Sequence, residues 1–128
     1  MGKSELIPSH KDDQVAMKKL RECSFEQIEP IANELLGWLQ DGHWPVAGPI
    51  GEILKPYTLE LSPQIMNILK GNDYEWKYFL INRLVNQTGN KFSEEVLEEL
   101  NRIVEKPTEV EISTEVHWIT KFMLTGNE

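Results

Sequence analysis

The stretch that decides the fold runs from Asp73 to Val85 and reads DYEWKYFLINRLV. Aspartate is a preferred residue just before a helix, because its side chain accepts hydrogen bonds from the first free amides. From Trp76 to Val85 the residues are apolar nearly all the way round a helix. A helix of that kind is normally buried in the middle of a domain. The stretch therefore predicts a central helix with the other helices packed around it.

Helix signals continue on both sides of this central segment. Capping-box patterns begin helices at Ser24–Gln27 and Thr108–Glu111, and a serine followed by a proline begins one at Ser62. No segment alternates convincingly with period two, which argues against strands. We predict an all-α fold of about seven helices in one domain, residues 1–128. The predicted helices cover residues 12–22, 24–39 with a restart at Pro30, 44–55, 62–71, 73–85, 93–104 and 108–123, after an extended or frayed entry at residues 1–11.

A short pattern recurs inside the chain. Asp41-Gly42-His43-Trp44 and Asp73-Tyr74-Glu75-Trp76 each have a tryptophan three positions after an aspartate, and the two lie 32 positions apart. Helix pairs that repeat near this length are typical of α-solenoids, in which each pair buries one face against the next. The pattern predicts stacked antiparallel helix pairs in an α-solenoid, that is, an α-α superhelix. Two interpretations of Trp44 and Trp76 stay open: they form core between repeats, or they join an exposed binding ridge with Trp38, Tyr74 and Tyr78.

The overall composition indicates one acidic globular domain. The 128 residues include 13 basic and 21 acidic side chains, for a formal net charge of -8, and 40% of them are apolar. No apolar run approaches the roughly 20 residues of a spanning helix, and the start has no apolar stretch suited to secretion. One cysteine, Cys23, cannot form an internal disulfide. We therefore expect a cytoplasmic protein without a membrane partner.

The acidic excess is densest between Glu94 and Glu115. Nucleic-acid binding draws much of its affinity from lysine and arginine contacts to phosphates, so a DNA or RNA partner is disfavoured. The glutamates fit a solvated helix face that keeps the protein in solution. They also fit a surface that steers toward a basic partner, and both interpretations stay open.

Signals for catalysis and for metal or cofactor binding are weak. His10, His43 and His117 lack the paired spacing that places two metal ligands on one helix face. The sequence also lacks the glycine-rich phosphate motifs. Cys23 has no base assigned to it, and the carboxylates of residues 94–99 are expected to face solvent rather than each other. We expect no catalytic residue, no metal ligand and no cofactor.

The two recurring helix starts are the candidate binding site. Helix starts from successive pairs lie on the same edge of a solenoid, so the residues of both patterns are expected to cluster. The predicted partner-binding residues are Asp41, His43, Trp44, Asp73, Tyr74 and Glu75. Carboxylate acceptors beside aromatic rings suit a basic or polar segment of a protein or peptide better than a phosphate.

A family resemblance covers nearly the whole chain. It is carried by the run LGWLQDGHWPVAGPI from Leu36 to Ile50 and by NDYEWKY from Asn72 to Tyr78, with further likeness at residues 6–8, 20–28 and 101–109. These residues resemble the bacterial domain-of-unknown-function family 5071. That family is similar to HEAT-like helical repeats, so the resemblance implies the same fold. It implies no activity, catalytic residue or cofactor.

Three functional classes follow from these features. The favoured one is a non-enzymatic protein-interaction module on a helical-repeat scaffold. The first alternative is an immunity-like or inhibitory protein whose acidic surface masks a basic partner. A small hydrolytic enzyme is the least favoured, because the helical-repeat enzymes that act on DNA need a positively charged groove and this chain is acidic. The oligomeric state and the identity of a partner stay open.

Overall fold

The computed structural model describes residues 5–85 and 91–125, and the regular elements in these ranges are all helical. The α-helices are α1 (Gln14–Arg21), α2 (Phe25–Ile28), α3 (Ala32–Gly37), α4 (Ala47–Leu54), α5 (Ser62–Leu69), α6 (Tyr74–Leu84), α7 (Glu94–Glu105), α8 (Glu109–Ser113) and α9 (Val116–Thr125). Short 3-10 turns at Glu29–Ile31 and Lys55–Tyr57 follow α2 and α4. The predicted all-α class is confirmed. Within these ranges, no helix combines the length and the apolar character needed to cross a bilayer.

The helix starts follow several of the capping residues that the sequence predicts. Ser24–Gln27 and Thr108–Glu111 both form capping boxes. Asp73 Oδ1 accepts a hydrogen bond from the amide of Trp76 at 3.0 Å, and Ser93 caps α7 in the same way. Each such bond satisfies an amide that has no partner inside the helix, and it stabilises the start by about 1 kcal/mol. Local chemistry therefore sets where α2, α6, α7 and α8 begin.

Helix α6 lies at the centre of the fold, as its sequence predicts. It packs against α4, α5 and α9, and its Leu80, Ile81 and Leu84 are buried in the shared core. Helix α1 extends the packing beyond α4, while α7 contacts both α5 and α9. Leu6 is also part of this core, so the chain is anchored before its first helix begins.

The third predicted helix begins later than residue 44, and this difference breaks the recurring pattern. Pro49 has no amide to donate to the carbonyl of residue 45, so the hydrogen bonds of α4 start from Ile50 N to Val46 O at 3.0 Å. Pro49 then lies in the first helical turn, where no amide donor is needed. Trp44 lies in the turn before α4, whereas Trp76 lies in the first turn of α6. The two patterns are therefore not equivalent helix starts.

The last predicted helix, residues 108–123, is divided into α8 and α9. Glu115 has a φ of 68°, a left-handed conformation that interrupts the helix. That conformation costs about 1–2 kcal/mol in a residue with a Cβ. Ile112 is 56% exposed, although it has helical spacing with Val116 and Ile119, which are buried. Prediction of one continuous helix is wrong here, because α8 turns Glu111 rather than Ile112 toward the interior.

A charge cluster, made of Lys77, Glu99, Arg102 and Glu111, joins α8 to α7. Arg102 holds the Glu111 carboxylate with both terminal nitrogens, at 3.0 and 2.6 Å, and its Nε donates to Glu99 at 2.7 Å. Glu111 is 3% exposed and also accepts a bond from the amide of Thr108 at 2.9 Å. The prediction that this acidic stretch faces solvent is therefore wrong for Glu99 and Glu111.

Burial and pairing act in opposite directions on the pKa values of this cluster. Burial raises the pKa of Glu111, but the bonds from Arg102 and from the Thr108 amide outweigh it, so the pKa is lowered. Lys77 is 4% exposed, and burial lowers its pKa against the opposing effect of the Glu111 and Glu99 carboxylates. No described carboxylate forms an ion pair with Lys77. Lys77 is thus the member whose burial is least compensated.

Candidate functional site

The loop between α3 and α4 carries three of the predicted binding residues, Asp41, His43 and Trp44. Asp41 Oδ1 accepts a hydrogen bond from the His43 amide at 2.9 Å and lies 3.0 Å from the His43 Nδ1. The bond from the His43 amide is the largest cause that lowers the pKa of Asp41. The His43 side chain is 85% exposed. Asp41 therefore stays ionised and orients an imidazole that is open to solvent.

Gly42 brings this loop directly onto α6. A Cβ at residue 42 would overlap the Phe79 ring, so the close approach requires glycine. One turn further along α6, Arg83 Nη2 donates to the Gly42 carbonyl at 2.9 Å. The His43 ring then lies edge to face against Phe79, with ring centroids 5.3 Å apart. The loop and α6 together form one wall that carries His43.

This wall borders a pocket of about 430 Å³ at the junction of α8 and α9. The acidic pocket, as we call it, is lined by His43, Glu75, Tyr78, Phe79, Thr114 and Glu115. One carboxylate comes from the first turn of α6, and the other comes from the residue in the left-handed conformation. Tyr78 and Phe79 add aromatic surface, with ring centroids 5.2 Å apart. Negative charge beside aromatic faces is the chemistry of a site for an organic cation.

Three of the six predicted binding residues meet at the acidic pocket. His43 and Glu75 line it, and Asp41 adjoins it through the bonds to His43. Sequence reasoning missed Thr114 and Glu115, because residues 108–123 were expected to form one helix. The serine and threonine that precede Glu115 favour caps and turns over helix interiors, and they are the signal that could have placed the break.

The other three predicted residues lie in different surroundings. Trp44 packs on Trp38 with ring centroids 5.2 Å apart. Tyr74 contacts the buried lysine of the charge cluster, whose Nζ lies 4.2 Å from its ring centroid. Asp73 lines a second pocket. Trp44 and Trp76 are both half-buried, Trp44 in the turn before α4 and Trp76 in the first turn of α6.

The second pocket, of about 330 Å³, lies between α3, α5 and the start of α6. Trp76 forms part of its wall, and the indole Nε1 donates to the Leu36 carbonyl at 2.9 Å, which fixes the ring against α3. None of the described residues that line this pocket is basic. We call it the carboxamide pocket after its polar lining residues, which are Asn33, Gln64, Asn67, Asn72 and Asp73.

Two reactive side chains away from these pockets are bonded to the backbone. The Cys23 Sγ donates to the Lys19 carbonyl at 3.3 Å, and the His117 Nε2 lies 3.2 Å from the Val104 carbonyl. In the part of the chain that the structure describes, no group of three or more His, Cys, Asp or Glu residues is arranged to hold a metal ion.

Comparison with known proteins gives one family. A family model described as Domain of unknown function (DUF5071) matches residues 6–124. No curated protein matches the sequence. The matched range contains both pockets and the charge cluster.

Proposed function

The chain belongs to the DUF5071 family, and we propose that it is a non-enzymatic protein-interaction module on a HEAT-like helical-repeat scaffold. In this proposal the acidic pocket binds a basic segment of a partner protein. An arginine or lysine of the partner enters between Glu75 and Glu115, with its aliphatic stem against the aromatic walls.

The order of helix contacts supports such a scaffold. Helices α1, α4, α6 and α9 pack against one another in that sequence, and α5 and α7 pack together beside them. Helices that stack in successive pairs bury one face against the next and leave edges and grooves for a partner. The acidic pocket lies where α6 of this row meets the junction before α9.

The charge around the pocket supports a basic partner. Glu75 and Glu115 line it, and the lowered pKa of Asp41 keeps a third carboxylate ionised beside it. The chain as a whole carries a net charge of -8. Opposite charge mainly raises the association rate, and this effect falls with salt because exposed charges are screened beyond about 10 Å at 0.1 M.

The aromatic surface adds an attraction that is specific for organic cations. A guanidinium or ammonium group over the face of a tyrosine or phenylalanine gains about 0.5–1 kcal/mol at an exposed site. Tyr78 and Phe79 line the pocket beside the two glutamates. Their rings bury area at a small cost in side-chain entropy, as is typical of residues that dominate interfaces.

The conformation of Glu115 is the observation that carries the proposal. Strained backbone outside glycine persists where the surrounding structure fixes it, and such residues concentrate at binding sites. Glycine at this position would relieve the strain at φ 68°. The chain has instead a glutamate whose side chain lines the pocket. A requirement for charge at this point of the surface explains that choice.

Direct binding to a defined peptide tests the proposal. The probe is a short fluorescent peptide containing arginine and lysine, compared with the same peptide after replacement of those residues by glutamine. Glu75→Gln with Glu115→Gln removes two charges from the acidic pocket, and Glu94→Gln with Glu98→Gln is the charge-matched control on exposed positions of α7. We expect the first pair to weaken binding about tenfold at low salt, from two contacts of about 0.7 kcal/mol each. The control is expected to bind as the wild type does.

Two results contradict the proposal. The first is that the basic peptide binds no better than its glutamine counterpart. The second is that both pairs of substitutions weaken binding equally, which would mean that only the net charge matters.

The same experiment addresses the immunity-like or inhibitory alternative. Glu94, Glu95 and Glu98 are exposed on α7 and form an acidic face of their own. A protein that masks a basic partner with this broad face loses binding when Glu94 and Glu98 are replaced. Loss with that pair alone would move the interface from the acidic pocket to α7.

A further inference from the structure

The acidic pocket contains an imidazole beside its two carboxylates. His43 lines it together with Glu75 and Glu115. We propose that His43 makes binding at this pocket sensitive to pH, so that a basic segment of the partner is held at neutral pH and released in mild acid. This inference rests on the proposed function, because it concerns the same pocket and the same partner and adds how their binding is regulated.

The His43 ring is fixed at the pocket wall and is open to solvent. Its Nδ1 lies 3.0 Å from Asp41 Oδ1, and its ring lies edge to face against Phe79 with centroids 5.3 Å apart. The loop that carries it is held to α6, where Arg83 Nη2 donates to the Gly42 carbonyl at 2.9 Å. The side chain is nevertheless 85% exposed, so a proton reaches the ring without any opening of the fold.

Uptake of a proton changes two properties of this ring. An ionised carboxylate only accepts hydrogen bonds, so the contact with Asp41 places the hydrogen of the neutral ring on Nδ1 and leaves a lone pair on Nε2. That lone pair accepts hydrogen bonds from a guanidinium or an ammonium group. In the protonated ring both nitrogens are donors and the ring carries a positive charge. Protonation of His43 therefore removes an acceptor for the partner's cation and adds a charge that repels it.

The other titratable groups that face His43 are three carboxyl groups and a phenol. Asp41 lies on the same loop, Glu75 and Tyr78 lie on α6, and Glu115 lies at the junction of α8 and α9. The bond from the His43 amide is the largest cause that lowers the pKa of Asp41, so this carboxylate stays ionised in mild acid. Carboxyl groups ordinarily titrate near pH 4 and phenols near pH 10, whereas imidazoles do so between about pH 5 and 8. Histidine is therefore the side-chain type in this lining whose charge responds to mild acid.

Two cations complete the charged surroundings. Arg83 lies one turn beyond Phe79 on α6, and Lys11 is a minor cause of the lowered pKa of Asp41, after the bond from the His43 amide. Lysine and arginine side chains ordinarily remain protonated up to about pH 10. They form a constant background, so the charge at the pocket changes through the imidazole.

The test compares binding of one probe at two pH values and constant low ionic strength. The probe is an acetylated arginine- and lysine-containing peptide with a dye that does not respond to pH, beside its glutamine counterpart. The measured quantity is the ratio of the Kd at about pH 5.5 to the Kd at about pH 7.5, which span the ordinary range of histidine. His43→Gln removes the imidazole at the pocket. His10→Gln is the control, because it removes one histidine from an exposed position that does not line the pocket, and so changes the net charge equally. Circular dichroism at both pH values confirms that each variant is folded.

We expect the wild type and His10→Gln to bind the peptide about threefold more weakly in mild acid, which is within the range for one exposed charge pair. For His43→Gln the ratio should be close to one, whatever its Kd at neutral pH. Linkage gives a second measurement, because a proton that weakens the peptide must in turn be weakened by it. In NMR titrations, saturating peptide should lower the midpoint of the His43 ring by about half a pH unit, which corresponds to threefold, and leave that of His10 in place.

Three results overturn the inference. The wild type binds the peptide equally well or better in mild acid, His43→Gln retains the full ratio, or His10→Gln abolishes it. The proposed function is judged separately, by the preference for the basic peptide over its glutamine counterpart at neutral pH. That preference without a pH dependence leaves the proposed function standing and overturns this inference alone. Loss of the preference overturns both.

Discussion

Replacing Glu111 by glutamine tests how much the charge cluster contributes to the fold. The substitution keeps the shape of the side chain and an acceptor for the Thr108 amide, but it removes the charge that Arg102 holds with two hydrogen bonds. Breaking a buried ion pair by removing one partner costs about 3–5 kcal/mol. The Arg102 side chain is 36% exposed and can regain water, so we expect the lower end, about 3 kcal/mol. That is a large share of the free energy of unfolding of a typical domain, which is roughly 5–15 kcal/mol.

Urea denaturation followed by circular dichroism measures this loss. With a slope of about 1.5–2 kcal/mol per molar urea, a loss of 3 kcal/mol lowers the midpoint by about 1.5–2 M. Glu105→Gln is the control, because Glu105 is an exposed glutamate at the end of the same helix as Arg102. We expect that control to change the free energy of unfolding by less than about 0.5 kcal/mol. Equal midpoints for Glu111→Gln and the control would refute the reasoning, since they would mean that the pair is solvated.

The pH dependence of the same difference provides a second check. Because the pKa of Glu111 is lowered in the folded state, its contribution is complete above the ordinary value of 4.5 and is lost as the pH falls through the lowered value. The gap in stability between the wild type and Glu111→Gln should therefore be full at pH 7 and shrink in acid. A gap that stays constant down to acid denaturation would show that the lost interaction is not that of an ionised carboxylate.

Three further substitutions separate the contributions of single residues, each measured by urea denaturation. Lys77→Met should leave the protein as stable or up to about 1 kcal/mol more stable, because it removes a weakly compensated buried charge. The wild type should gain stability as the pH rises from the lowered pKa of Lys77 to the ordinary lysine value of 10.5, and the variant should lack this gain. Glu115→Gly should stabilise the protein by about 0.5 kcal/mol, because the relief of backbone strain at φ 68° slightly exceeds the cost of the added conformational freedom of the unfolded chain. The same substitution should weaken binding of the basic peptide. Gly42→Ala should destabilise by about 1–3 kcal/mol through overlap with Phe79, whereas Gly37→Ala, with nothing within 4 Å of its Cβ, should not destabilise. A stable Gly42→Ala, an unstable Lys77→Met or a Glu115→Gly that binds normally would each contradict its argument.

Those parts of the fold that depend on residues close together in the sequence could be predicted from the sequence. The aspartate before α6 and the capping boxes of α2 and α8 are local hydrogen-bonding patterns, and each of them forms. The central position of α6 also follows from its apolar residues, because a helix that is apolar around most of its circumference has to be covered. Spacing alone did not show that Pro49 would delay α4, since that effect depends on which carbonyl loses its donor.

The pairing of charges across helices could not be read from composition. Glu99 and Glu111 belong to the same acidic stretch as the solvated glutamates, and the residue that distinguishes them is Arg102, which reaches both. Lys77 gave no sign of burial beyond its place in an apolar segment. Three of the six predicted residues, Asp41, His43 and Glu75, lie at the acidic pocket because the loop before α4 contacts α6. The other three depended on a repeat that the turn at Trp44 does not follow.

The charge cluster and the acidic pocket are connected through α8. Glu111 is fixed by Arg102 from α7 and by the amide of Thr108, and Glu115 follows it by one helical turn. A helix as short as α8 has little stability of its own, so its position depends on these tertiary contacts. The left-handed conformation of Glu115 can persist only while both α8 and α9 are held in place. The buried ion pair therefore sets where the pocket carboxylate lies, although neither Arg102 nor Glu111 lines the pocket.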